Sequence, residues 1–346
     1  MRIETYSGTP TQRTLYDDFL RRKPETLLYQ TSAYMALLEE LLDAQNLTQL
    51  VWSEQGTLLG ALPLMRRDGP WGGVINSLPY YGSNGAIIAE TPSVADMLHN
   101  RFREVAQAPD IAASTVVENP LDPEGFTRFA APLEEERVGQ FTPLPKGNDI
   151  TGALMARFHG KTRNMVRKTQ KLGIATRTDP GAMDFLLHVH TQNISEIGGL
   201  AKTPAFFDLV QKHFFAPRDY QIYVATLDGV DIAAMLVFFW NRTVEYYTPV
   251  VVKDYRSCQP LSALIFQAMC DAADAGFTWW NWGGTWLSQS GVYQFKSRWG
   301  TKDIPYRYKI DIRNKKLLDA TPHQLLEHYP GFYTVPFSQL RSAPTP

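Results

Sequence analysis

The stretch GVYQFKSRWG, residues 291–300, sets one lysine and one arginine among Tyr293, Phe295 and Trp299. A cation flanked by aromatic side chains that exclude water suits the stabilisation of a developing negative charge. Lys296 can equally be a solvated edge-strand lysine, since edge strands carry Lys to discourage pairing with other chains. The segment reads as a strand. Alternation then puts Tyr293, Phe295 and Ser297 on one face, and Gln294, Lys296 and Arg298 on the other. Arg298 thereby becomes a candidate substrate-binding cation beside Lys296.

A second chemical feature is a run of cations. From Ile150 to Thr178 there is no acidic residue, yet Arg157, Lys161, Arg163, Arg167, Lys168, Lys171 and Arg177 all fall there. A helix over 151–172 buries Leu154, Phe158, Thr162, Met165, Thr169 and Leu172 and leaves the cations outward. Such a face is either simply solvated or a patch for phosphates on tRNA or on a nucleotide-linked or lipid-linked precursor, with Lys161, Arg163 and Arg167 as carrier-binding candidates.

Aromatic residues supply further candidates. Trp282 belongs to a tryptophan-rich run (Trp279, Trp280, Trp282, Trp286) that either lines a cleft or fills the core. Tyr80 and Tyr81 sit beside glycines in a loop. Tyr246 and Tyr247 are strand neighbours that point to opposite sides, so one of them faces a substrate cleft. His188 and His190, two apart on a helix, diverge by about 200° and make a poor metal pair. No metal site is expected. No Ser-His-Asp order, phosphate-binding Walker sequence or GxGxxG is present, and nothing near Cys258 marks it as a nucleophile.

These residues must be positioned by a large fold. With 346 residues, two domains are expected, and 44% hydrophobic with 20% charged content describes a folded chain. A net charge of −1 gives no global field toward DNA or anionic lipid. Two cysteines, Cys258 and Cys270, exclude a disulfide framework and a zinc ribbon. The N-terminus lacks the apolar core of a secretory signal, and no window approaches about 18 apolar residues, so a cytoplasmic protein that is not membrane-embedded is expected. Helices are expected over 29–45, 93–107, 151–172, 181–192, 204–215 and 260–275. Strands are expected around 47–67, over 111–120 and 221–251 with turns at Asp228-Gly229 and Asn241-Arg242, and in FTWWNWGG, GVYQFKSRWG and 304–312. The Pro-rich passage 131–148 reads as a linker. Each half repeats one order of elements, giving an α/β (α+β) chain with domains at 1–145 and 146–346, each a mixed, largely antiparallel sheet flanked by helices.

With Asp228-Gly229, the strand 231–240, the passage YYTPVVVKDYRSCQPLSALIF, the ALPL…SLPYYGSNG passage and the Phe295-Lys296 pair followed by Gly300, the sequence resembles the FemABX-like family, two fused GNAT acyltransferase domains, across most of 25–312. The resemblance implies tandem GNAT-like domains and a transferase that moves an aminoacyl or acyl group onto an amine of a cell-wall or related precursor. It gives Lys296 the oxyanion role, with Phe295 packed beside it. No bound cofactor is implied; the co-substrate is aminoacyl-tRNA or acyl-CoA. GNAT proteins seat the coenzyme A diphosphate on a Tyr-Arg-x-x-Gly-x-Gly turn. Here the run from Tyr255 and Arg256 to Leu261 puts Gln259 and Leu261 at the glycine positions, and Pro260 has no amide hydrogen. Arg256 stays a carrier-binding candidate, while the altered turn favours aminoacyl-tRNA. Against a diphosphate-linked wall precursor, HTQNISEIGGLAKTP lacks the arginine that peptidoglycan-directed members carry there. The alternatives are an acyl-CoA-dependent N-acyltransferase acting on an amino sugar or small metabolite, and a non-catalytic module that kept the fold.

Overall fold

The computed structural model describes residues 1–80, 84–122, 125–126, 130–286 and 289–341. In chain order its elements are β1 (Arg2–Thr5), α1 (Pro10–Arg21), α2 (Ser32–Leu42), β2 (Gln45–Asn46), β3 (Gln49–Trp52), β4 (Leu58–Leu62), β5 (Met65–Gly69) and β6 (Gly72–Asn76). There follow β7 (Ile88–Ala89), α3 (Pro92–Ala106), β8 (Ile111–Val117), β9 (Leu133–Pro143), α4 (Ile150–Arg157), α5 (Gly160–Lys171), β10 (Ala175–Thr178), α6 (Met183–Glu196) and α7 (Pro204–His213). The last are β11 (Tyr220–Leu227), β12 (Val230–Trp240), β13 (Thr243–Val251), α8 (Pro260–Asp274), β14 (Trp279–Thr285), α9 (Ser290–Ser297), β15 (Lys302–Ile312) and α10 (Pro322–His328).

These elements form two compact units, Met1–Arg137 with Pro305–Pro346, and Val138–Ile304. The division differs from the sequence-based boundary at 145/146 in two ways. The segment that reads as a linker is strand β9, which pairs with β14 from Val138 to Pro143 despite the neighbouring prolines. The C-terminal segment packs into the first unit: Tyr329 donates to Gly72 O at 2.8 Å, and the Asn76 side chain bonds both backbone groups of Tyr333.

In the first unit β1, β3, β4 and β7 make an antiparallel sheet. Strands β2, β5, β6, β8 and β15 follow one another in a second sheet, parallel only between β6 and β8. Helix α3 starts with Thr91 as N-cap and Pro92 at N1, and buries Val94, Leu98 and Phe102 against Val51, Leu62 and Ile75.

In the second unit β10, β11, β12 and β13 form an antiparallel meander; β14 joins β13 in parallel and β9 in antiparallel sense. The turns fall at Asp228-Gly229 and Asn241, all at positive φ, where Asp, Asn and Gly are tolerated best. Helix α8 lays Leu264, Ile265, Ala268, Met269 and Ala272 on one face of this sheet and ends at Gly276, φ +88°. Both units thus carry mixed, largely antiparallel sheets flanked by helices, a tandem GNAT-like architecture.

Two helical readings change. The helix expected over 151–172 is two helices, because Phe158 is extended and His159 caps α5, its Nδ1 accepting from Lys161 N at 3.2 Å. The break lets Phe158 reach Trp299, with ring centroids 5.0 Å apart, and brings Val166 instead of Met165 into the core, leaving Leu172 exposed. The GVYQFKSRWG stretch is not a strand: Ser290–Ser297 is helix α9. Lys296 and Trp299 are buried at i, i+3 spacing, and Gly300 closes the helix at φ +73°. A run this short is within strand length, so alternation misleads; the glycine is the available helix signal.

Candidate active site

The parallel pairing of β13 with β14 is short. It joins Thr243–Glu245 to Trp279–Asn281, after which both strands continue without pairing to each other. Strand β13 carries a bulge there, since Leu236 opposes Thr248 and Val237 opposes Tyr246, leaving Tyr247 over. At its far end Asn193 of α6 takes the place of a strand partner, bonding Val251 O at 3.0 Å and Val251 N at 3.1 Å. Strand β14 bulges too, against β9, between Asn281 and Gly284. Gly283 occupies this bulge at φ +74°, a conformation that glycine adopts with the least strain. Its N–H donates to Asn281 Oδ1 at 2.8 Å, and Asn281 Nδ2 in turn donates to the buried carboxylate of Glu245 at 2.7 Å.

The β14 bulge is where Lys296 ends. Its ammonium donates to Thr285 Oγ1 at 2.9 Å, Gly284 O at 3.2 Å and Gly283 O at 3.4 Å. The residue is 7% exposed, and burial lowers its pKa from 10.5 to about 8. All three acceptors are neutral, and among the described residues no carboxylate pairs with it. A buried cation without a counter-ion is costly for a fold, and it is suited to meet a negative charge supplied by a substrate. Gly283 O, at 3.4 Å, is the weakest acceptor and the one most readily exchanged for such a group.

Aromatic side chains back this cation. Phe295 meets Trp282 edge-on at 6.0 Å, and Trp282 also packs on Trp299 at 5.8 Å and Tyr246 at 4.9 Å. Trp282 Nε1 donates to Thr142 Oγ1 at 2.9 Å. Trp282 and Trp280 are both buried, and Trp286 is the exposed tryptophan of that run. Burial raises the Tyr246 phenol well above its ordinary value.

The remaining candidates separate. Arg298 follows α9 with helical backbone. Two helical steps of about 200° carry it away from Lys296, whereas a strand would pair them. Tyr247 points opposite to Tyr246, stacked on Phe206 at 5.6 Å with Lys202 Nζ 5.2 Å from its ring. Tyr80 belongs to the first unit, buried at φ +79°, its N–H bonded to Gly331 O at 2.8 Å. Tyr81 lies outside the described residues.

The cations divide as well. Lys161 and Arg167 are exposed on α5. Arg163 donates to Phe158 O at 2.6 Å, and Lys168 to Ser257 O at 2.8 Å. Arg256 pairs with Glu196 at 2.7 Å, and Arg177 with Asp231 at 2.7 Å. Within the run without acids, Arg177 is thus compensated by a carboxylate distant in sequence. His190 Nε2 accepts from Lys202 N at 3.0 Å, with its pKa lowered by burial to about 4, and His188 bonds Gln192. Cys258 and Cys270 are free thiols, the latter pushed up to about 11 by burial. Among the described residues no helix is long and apolar enough to cross a membrane.

Sequence reasoning misses Gln140, Thr285, Asn281 and Glu245. Gln140 lies in the passage that reads as a linker. Asn281, polar between two buried tryptophans, carries a signal that can be read.

Residues 156–297 match the family model of the acetyltransferase (GNAT) domain, a span that holds β10–β14, α5–α9 and Lys296. The chain thus carries a GNAT-type acetyltransferase domain in its second unit. Taken whole, the chain shares its fold with several solved structures. FemX superposes with a TM-score of 0.71 at 15% identity, over 94% of this chain and 100% of FemX. The C-terminal domain of a putative lysylphosphatidylglycerol synthetase from Agrobacterium fabrum gives 0.59 at 15% identity, over 93% and 98%. A protein of unknown function from Bacteroides thetaiotaomicron gives 0.58 at 12%, over 90% and 100%. No curated protein matches the sequence.

Proposed function

We propose that this protein transfers an aminoacyl or acyl group from an activated carrier to an amine, with Lys296 as the cation for the oxyanion. The observation that carries this reading is the buried Lys296 ammonium, held among the described residues only by neutral acceptors on the stretch of β14 that does not pair with β13. The amine attacks the carbonyl of an ester or thioester and a C–N bond forms. The carbonyl oxygen takes the negative charge, and the C–O or C–S bond to the carrier then breaks. The proton lost by the amine leaves with the carrier. A cation fixed at that oxygen contributes about 3–4 kcal/mol to the transition state. With a pKa of about 8, Lys296 is charged at neutral pH.

Aminoacyl-tRNA is the favoured carrier, with a cell-wall or related precursor amine as acceptor. In the turn before α8, the Gln259 N–H already donates to Arg256 O at 3.2 Å, and Pro260 has none to offer. Two amides of a coenzyme A diphosphate cradle are thus engaged or missing, while Lys161 and Arg167 leave exposed charge for a phosphate backbone. The second reading, an acyl-CoA-dependent N-acyltransferase acting on an amino sugar or small metabolite, draws support from the acetyltransferase family that matches 156–297. Thermal stabilisation by charged tRNA and by coenzyme A thioesters, measured separately and at two salt concentrations, tests the choice. A salt-sensitive shift with tRNA alone supports the first; a shift with a thioester alone overturns it.

A further inference from the structure

Lys296 is not aimed by its own helix alone. Gln140, on β9, has no exposed surface. Its Oε1 accepts from Thr285 Oγ1 at 2.9 Å, and its Nε2 donates to Tyr293 O at 3.3 Å and Thr301 Oγ1 at 3.5 Å. The Tyr293 carbonyl can only accept, so the amide nitrogen must face it and the amide oxygen must face Thr285. The single hydroxyl proton of Thr285 is thereby committed to Gln140. Toward Lys296 that hydroxyl can present only lone pairs. Gln140 also ties β14 to α9 one turn before Lys296, so the lysine and its acceptor are held by one side chain.

We infer that Thr285 and Gln140 are positioning residues of the transfer reaction, a relay that fixes the Lys296 ammonium at the β14 bulge in its charged form. The inference rests on the oxyanion reading of Lys296, and it names which groups give that cation its direction. Glycine carbonyls alone would hold the ammonium at 3.2 Å and 3.4 Å, distances at which it can swing. The hydroxyl at 2.9 Å is the closest acceptor. The titratable groups on the elements packed here are Tyr293 and Arg298 by α9, Lys302 and Asp303 at the start of β15, Arg157 of α4, His159, and Glu245 and Tyr246 of β13. Tyr293 is hydrogen-bonded to Asp303, and Lys302 lies over the Trp279 ring at 5.9 Å. Among the described residues none of them hydrogen-bonds or pairs with Lys296, so its titration reports the relay.

The test is the titration of Lys296 itself, followed by NMR on full-length protein labelled at lysine Cε, with the Lys296→Met variant used to assign the resonance. Thr285→Val keeps the shape and removes the acceptor, and the midpoint is expected to fall by about one pH unit, a tenfold loss of the charged form at a given pH above it. Gln140→Leu is expected to move it the same way by less, and Thr285→Ser to restore the wild-type midpoint. Wild-type titration in both Thr285→Val and Gln140→Leu overturns the relay. A shift in Thr285→Ser as large as in Thr285→Val also overturns it, since packing and not the hydroxyl would then be responsible. If Thr285→Val fails to fold, Gln140→Leu and Thr285→Ser still decide. Transfer surviving in Lys296→Met would remove the oxyanion role and leave this titration unaffected, so the two failures are distinguishable.

Discussion

Lys296 and Thr285 meet through a 2.9 Å hydrogen bond inside the second unit, and no carboxylate accompanies the ammonium among the described residues. A purely structural lysine gains little from that arrangement, because burial opposes the charge and neutral oxygens compensate only in part.

Lys296→Met is therefore expected to lower transfer by about 10²–10³, the loss typical of one oxyanion donor. Stability should change little. Removing a buried charge is favourable, while Thr285 Oγ1 and the two glycine carbonyls lose a donor at about 1 kcal/mol each, and the two effects oppose. Steady-state rates and thermal melts on the same preparation check both. Loss of activity together with a collapsed melting temperature would favour a structural lysine.

The pH dependence follows from the direction of the shift. Folded Lys296 has its pKa lowered from 10.5 to about 8. Below that value it is charged in the folded and the unfolded chain alike, and the fold carries a desolvation cost of about 3 kcal/mol. Between about pH 8 and 10.5 the folded state binds fewer protons than the unfolded one, so stability rises with pH across that window. Transfer has the opposite trend and declines above pH 8 as the cation is lost. The urea midpoint of wild type minus that of Lys296→Met should climb from pH 8 to 10 while the rate falls. A rate that climbs through pH 8 would make Lys296 a proton acceptor.

Much of this is legible in sequence, and the limits have physical causes. The meander over 221–251 and helix 260–275 announce themselves through Asp228-Gly229, Asn241, Pro260 and Gly276, where local backbone chemistry decides. Helix α9 misleads because so short a run satisfies both periods, and the parity argument that joins Arg298 to Lys296 fails with it. What singles out Lys296 is its cage, made by β9, β14 and α9, and such a cage depends on register and bulges that no local pattern records. Cations with partners distant in sequence, Arg177 with Asp231 and Arg256 with Glu196, look free until the chain is folded.

Gly300 is irreplaceable for two reasons that can be separated. At φ +73° a side chain is strained, and a Cβ would lie 2.4 Å from Arg157 Cγ. Gly300→Ala is expected to cost about 2 kcal/mol, part from the left-handed backbone and part from overpacking. Adding Arg157→Ala should recover the side-chain part of the clash, leaving at least about 1 kcal/mol, since the contact to Arg157 O at 3.1 Å stays. Urea unfolding of the three variants checks this; full recovery in the double variant would show that the backbone strain is negligible.

The exposed cations of α5 bear on the carrier. If charged tRNA is the donor, Lys161→Glu and Arg167→Glu should each weaken its binding several-fold. Each should also reduce the dependence of log affinity on log salt by about one for every phosphate interaction removed. Lys161 and Arg167 are exposed, so the fold should tolerate both changes with a melting temperature close to wild type. Arg256→Glu is a poor substitute, because Arg256 is paired with Glu196 and its reversal would set like charges against each other. Binding measured at three salt concentrations, with a coenzyme A thioester in parallel, separates the carriers. Unchanged tRNA binding in both charge reversals would remove α5 from the carrier site and leave the thioester reading the stronger one.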